Sequence, residues 1–328
     1  MFFQSLFQVL ISADLWKATL EAAAVLLLPA LGGLISENSG VTNVAMEGMM
    51  LTGAFFGAIV VLNLPSHNVY LAVLVSILTG GVMALIHAFF SIQFKANQIV
   101  SGIAINIAAA GLTSFLLFNL TPKGQGVPSL TNDLRIPELN IPGLSQIPFI
   151  GPVFFQQYLV FYLAILVLIA TQYVLFHTNI GLRIRAVGEH PQAADTAGIN
   201  VRLVRYLCVI TSGLLSGLAG AYLALGIAGV FIPNMTAGRG FIALAAMIFG
   251  KWKPRGTAIA CLIFGLGLAL QNRLAVPLRE LGVTANADTL TALLAAIPYV
   301  LTILALVGLV GRATAPAADG IPYEPGGE

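Results

Sequence analysis

The chain has 328 residues, 58% of them hydrophobic and 9% charged, with a mean hydropathy of +0.93. Soluble domains carry about 25% charge, so this composition excludes a water-soluble globular protein and implies one embedded in lipid. A net charge of +2 without a basic run argues against nucleic-acid binding, and the two cysteines, Cys208 and Cys261, fall inside apolar runs, as small buried hydrophobes rather than a disulfide framework.

In chain order, MFFQSLFQVLISADL lacks the basic start of a signal peptide and is too short to span, which predicts an interfacial amphipathic helix over residues 1–15. Apolar runs predict spans at about Trp16–Ile35, Val41–Leu62, Val69–Phe90 and Gln98–Leu120, near the length that about 30 Å of hydrocarbon requires. Small residues recur at helical spacing, at Gly53 and Gly57 and later at Ser212, Ser216 and Gly220. Such stripes let helix backbones approach closely, either within one subunit or at the interface with a second one.

Residues 121–157 hold six prolines, which forbid a continuous helix and mark the one long extramembrane excursion. The next span, Tyr158–Phe176, leads into a charged interval over residues 177–205 that holds Arg183, Arg185, Arg202 and Arg205. Four basic residues in a short loop place it in the cytoplasm and residues 121–157 outside. Pro191 suits the first position of a helix and Gly198 the left-handed residue past its end, so PQAADTA predicts a two-turn helix, a solvated connector or an element that passes force to a soluble partner.

A span over Tyr206–Gly229 follows. FIALAAMIFG then offers only ten residues before the basic cluster Lys251, Lys253 and Arg255. That is half a bilayer of helix, so the segment is short and buried in protein, or unwound beside Pro233 and Gly238. Further spans are expected at about Gly256–Leu274 and Leu290–Val310, giving about nine crossings. Residues 312–328, with three prolines and three acids, read as a disordered cytoplasmic tail.

Three motifs, SENSGVTNVAMEGMMLTGAF, GLRIRAVGEHPQAADTAGINV and GRGFIALAAMIFGKWKP, resemble in sequence and order the membrane permease subunits of bacterial ABC importers. The likeness is to the nucleoside-uptake type, related to ribose-type and branched-chain amino acid permeases. It implies an all-α integral membrane protein of the bacterial inner membrane, one permease domain over residues 1–311, with residues 177–205 as the coupling loop. It also implies three protein partners besides the lipid bilayer: an ABC ATPase, a second permease making a heterodimer, and an extracytoplasmic substrate-binding protein. Carried onto the matching positions, ATPase coupling falls to Glu189, His190, Pro191, Ala193, Ala194, Asp195 and Gly198. Sugar and branched-chain amino acid permeases, and a stand-alone ion-coupled transporter or channel, are the alternatives.

The polar residues inside predicted spans are the candidates for the solute path. Glu47 needs a partner, water or a proton, and either lines a polar path with Asn43 or caps a half-helix. Asn106, five residues after Ser101, either bonds a neighbouring helix or faces the path. Arg239 borders the suspected break, where it meets Glu47, a solute or the outer interface. One carboxylate and one guanidinium near the path favour a neutral polar solute. No phosphate-binding GxxxxGK[ST] loop occurs, the four histidines lack metal-ligand spacing, and no Ser, His and acid arrangement stands out. No metal, cofactor or enzymatic activity is therefore expected, and any ATP is hydrolysed by another chain.

Overall fold

In a medium without water a backbone must satisfy its own amides, and the apolar runs accordingly form helices. The computed structural model describes residues 7–64, 67–121, 129–280, 296 and 314–324. The span expected at Leu290–Val310 lies outside them. Among the described residues seven helices are long and apolar enough to cross a membrane, and an eleven-residue apolar helix is too short to do so.

The helices are α1 (Ala13–Glu37), α2 (Met46–Asn63), α3 (Val69–Ala88, prolonged by the wide turn Phe89–Gln93) and α4 (Gln98–Leu120). After the excursion come α5 (Leu159–His177), α6 (Asn179–Glu189), α7 (Pro191–Thr196) and α8 (Val201–Ala221, prolonged by wide turns over Tyr222–Ala228). The short α9 (Arg239–Phe249) and the long α10 (Pro254–Glu280) complete the described helices. Side-chain caps start several of them: Asn68 accepts from the Tyr70 and Leu71 amides, Asn97 from Ile99 and Val100, and Asn200 from Leu203.

Helix α8 is the centre, packed against α1, α2 and α3. The small-residue stripe makes this possible. A methyl group on Gly53 would lie 2.7 Å from the Gly217 Cα, and one on Gly217 would collide with the Ser76 carbonyl of α3. The stripe therefore packs inside the subunit. Helices α4 and α5 lie further out and leave Ile107, Phe115, Phe118 and Leu166 exposed, as hydrocarbon-facing residues are. Cys208 and Cys261 are buried free thiols.

The excursion is built as a cover rather than a slack connector. Strand β1 (Glu138–Asn140) pairs antiparallel with β2 (Gln156–Tyr158), Leu130 and Ile136 are buried, and their amides donate to the Gly229 and Leu225 carbonyls. Lys17, near the start of α1, is 3.1 Å from the Glu138 carboxylate, whereas Glu37, at the other end, accepts from the Trp252 indole at 2.6 Å. The excursion and the Lys251, Lys253 and Arg255 cluster thus sit at opposite ends of α1. Residues 7–10 form one exposed helical turn, and residues 13–15 of the expected interfacial helix belong to α1.

Several expectations need correction. The second span does not begin at Val41: residues 38–45 are non-helical and α2 starts at Met46. Residues 177–205 are almost wholly helical, and Arg205, expected in water, lies in α8 at 2% exposure. Its Nε donates to the Ser39 carbonyl at 3.1 Å and its Nη1 to that of Ile321 at 3.0 Å. Burial of a guanidinium is tolerable because carbonyls meet it. The tail is not disordered over residues 314–324: Tyr323 packs with Val187, Ala194 and Val201, and the Ala318 amide donates to the Gly188 carbonyl.

Candidate functional site

Two irregular segments interrupt the helices, residues 38–45, largely buried, and residues 230–238, partly exposed, and each must find partners for its backbone groups. For the first, the partners are polar side chains from the surrounding helices. Gln98 accepts from the Thr42 amide at 2.7 Å, and His87 contacts the Thr42 carbonyl with Nε2 and the Ser101 hydroxyl with Nδ1, both at 3.1 Å. Asn106 donates to the Val44 carbonyl at 2.9 Å and accepts from the Gly48 amide at 2.7 Å, bracketing the first turn of α2.

Asn43 does not stand one helical turn before Glu47, because no helix has begun there. It is fully buried, with Nδ2 donating to the Ser212 hydroxyl of α8 at 2.8 Å and Oδ1 accepting from the Ala45 amide. It braces the segment against the central helix.

The second segment answers the question posed by the ten-residue apolar interval. Gly229 is tied to the excursion and Trp252 to the far end of α1, so the chain crosses between them as non-helical residues 230–238 followed by α9. The segment is both short and unwound. Phe231 packs edge-on against Phe55 at 5.2 Å, and Met235 and Thr236 are buried.

Glu47 caps the half-helix. Its Oε1 accepts from the Gly238 amide at 2.8 Å and its Oε2 from the Gly240 amide at 2.6 Å, placing a carboxylate on the positive end of α9. Position 240 must be glycine for this: a Cβ would come within 2.5 Å of the Glu47 Cα. Arg239 turns away from Glu47, and its Nη1 donates to the Met235 and Thr236 carbonyls at 3.0 and 3.1 Å.

Arg239 lines a cavity of about 330 Å³ between α1, the wide turns after α8, and α10. Glu21, Asn272 and Arg273 supply the other polar groups, and Val25, Leu223, Ile227 and Leu268 the apolar wall. Apolar faces with a few convergent donors and acceptors describe a small-molecule site. Glu21 and Arg273 are ionisable residues inside predicted spans, the signal that singled out Glu47, and that signal could have found them.

At the other end of the bundle, Pro191 and Ala194 of α7 point inward, while Glu189, His190, Ala193, Asp195 and Gly198 are exposed. The left-handed Gly198 ends α7 by donating to the Asp195 carbonyl at 2.8 Å. The seven positions thus divide into two that anchor the helix and five that face outward. No group of side chains suited to a metal occurs among the described residues.

The family model described as the permease component of branched-chain amino acid transport systems matches residues 17–309. The guanosine ABC transporter permease protein NupQ of Bacillus subtilis is 44% identical over 315 residues, covering 93% of this chain and 95% of the relative. The nucleoside ABC transporter permease protein NupC of Lactococcus lactis is 41% identical, covering 91% of this chain and 92% of the relative. A putative glucose ABC transporter permease protein, TsgC13 of Haloferax volcanii, is 40% identical over 80% of this chain and 78% of its own length. No solved structure matches.

Proposed function

The chain belongs to the permease family of branched-chain amino acid transport systems, and from that premise we propose that it forms part of the translocation path of an ATP-driven importer of nucleosides. The observation that carries this reading is the pairing, in one subunit, of a half-helix crossing beside a polar cavity with a short helix exposed at the opposite end of the bundle. Helix α7 would dock on an ATPase subunit through His190, Ala193 and Asp195, with Pro191 and Ala194 holding it from beneath. A second permease and an extracytoplasmic binding protein complete the assembly. Closure of the ATPase would move α7, and with it the α6–α8 region, to alternate access to the path.

The cavity suits a nucleoside in kind. Glu21 accepts from ring N–H groups, Arg239, Asn272 and Arg273 donate to ring or ribose oxygens, and the aliphatic wall packs against the face of a base. Glu47 and Asn106 serve the path by holding its backbone in shape, since the carboxylate oxygens and the amide are already engaged. The name of the Haloferax volcanii relative keeps a sugar as the second reading.

The test is whether the assembly purified from its native membrane retains an ATPase, and whether deletion of Glu189–Gly198 releases it while the chain still inserts. Release supports the reading. An intact assembly without ATPase would leave a gradient-driven transporter in its place.

A further inference from the structure

Residues 314–324 lie across three parts of the molecule that are far apart in sequence. At α6 and α7, the Ala318 amide donates to the Gly188 carbonyl at 2.8 Å, the Ala317 amide to the Glu189 carboxylate at 3.3 Å, and Tyr323 fills a pocket formed with Val187, Ala194 and Val201. At the irregular segment before α2, the Thr42 hydroxyl donates to Asp319 Oδ1 at 3.0 Å. At α8, Arg205 joins the two, bonding the Ser39 carbonyl with one nitrogen and the Ile321 carbonyl with another. The far end is tied to Lys95, which lies 2.6 Å from Glu324.

The centre of this arrangement is a pair of acids. The Asp319 carboxyl stands beside that of Glu37, which accepts from the Trp252 indole just beyond α9. Asp319 bonds Thr42, in the segment leading to the Glu47 cap, and stands near Glu37 at the end of α1 and Arg205 of the central helix. Helices α6 and α8 also reach residues 38–45, at Gly188 beside Asn38 and at Arg205 and Ser212, and residues 314–324 add a further tie between the exposed helix and the irregular crossing.

We propose that residues 314–324 are a coupling strap, with Asp319 as its pin, that makes α7 and residues 38–45 move as one body during transport. The proposal rests on the reading of α7 as the helix that meets an ATPase. A displacement of α7 then carries Ala194 and Gly188, the strap follows, and Thr42 is drawn with it. Asp319 is a positioning residue: it acts on the path through Thr42 and touches no solute.

The experiment uses the complete transporter in proteoliposomes, with labelled guanosine as the probe, and reads solute taken up per ATP hydrolysed. Asp319→Ala is expected to lower that ratio by about threefold or more while the ATPase stays bound, the scale of a lost coupling contact. Asp319→Asn is expected to restore it, because its carbonyl still accepts from Thr42. A second variant does not depend on a weakened fold: Thr42→Cys and Asp319→Cys, joined by a short bis(methanethiosulfonate) reagent that forms a disulfide to each thiol with release of methanesulfinate, with Cys208 and Cys261 replaced by alanine. The joined protein is expected to keep ATP-coupled uptake. An unchanged ratio in Asp319→Ala, or uptake lost on joining and regained on reduction, would overturn the strap. A wild-type assembly that holds no ATPase would overturn it together with the importer reading.

Discussion

The block of α1, α2, α3 and α8 and the two irregular crossings are held together by opposite means. In the block, backbones touch through Gly53, Gly217 and Gly80, the hydroxyls of Ser76 and Ser216 bond back within their own helices, and the stabilisation is dispersion at close approach. At residues 38–45 and 230–238, local backbone turns are joined by hydrogen bonds from side chains on other helices. The first kind of contact is insensitive to proton or solute. The second can be exchanged, one partner for another.

Substitutions can break each side of this contrast. Gly217→Leu should have the largest effect, because its side chain has no space against α3; the chain should be lost from membranes, measured as the amount extracted folded in mild detergent. Glu47→Ala should destabilise by about 3 kcal/mol, leaving the Gly238 and Gly240 amides unpaired in an apolar setting, read as a lower thermal midpoint in detergent. Glu47→Gln should lose about half of that, since its single carbonyl can replace only one carboxylate oxygen. Asn106→Ala should cost about 1–2 kcal/mol and alter transport more than folding, seen as a reduced uptake rate at unchanged expression.

The smallest effect is one of pH. Burial pushes the Asp319 carboxyl up to about 6, against Thr42, Glu37 and Arg205, which favour its charged form. The group is therefore more easily protonated in the docked strap than in a free one. Its contribution to docking is present in full below the ordinary carboxylate range and is lost as pH rises through about 6. Around it stand Glu37, Arg205, Tyr323 with Asp195, Glu189, and the Lys95–Glu324 pair. Amide-exchange protection of residues 314–324, corrected for intrinsic rate, should fall from pH 5.5 to pH 7.5 by about tenfold at most, and Asp319→Asn should flatten the slope.

The block was legible because helical periodicity of small residues is a local signal: Gly53 and Gly57, or Ser212, Ser216 and Gly220, can be counted off on one face. The half-helix was legible for a similar reason, as ten apolar residues before three cations cannot span. What sequence reading missed depends on partners distant in the chain. Asn43 looked helical within an apolar run, but Gln98 and His87 hold the backbone of the preceding Thr42, and Ser212 holds the Asn43 side chain. Arg205 counted as a water-facing charge until the carbonyls of Ser39 and Ile321 received it. The strap has the prolines and acids of a disordered tail, and its order comes from surfaces more than 100 residues earlier in the chain.

The most direct test is uptake of labelled guanosine by vesicles containing the complete assembly, with ATP supplied on the side of α7 and ion gradients collapsed. The account predicts accumulation that requires ATP and the binding protein and that disappears when Glu189–Gly198 is deleted. Accumulation by this chain alone, without ATP and following a proton or sodium gradient, would contradict it.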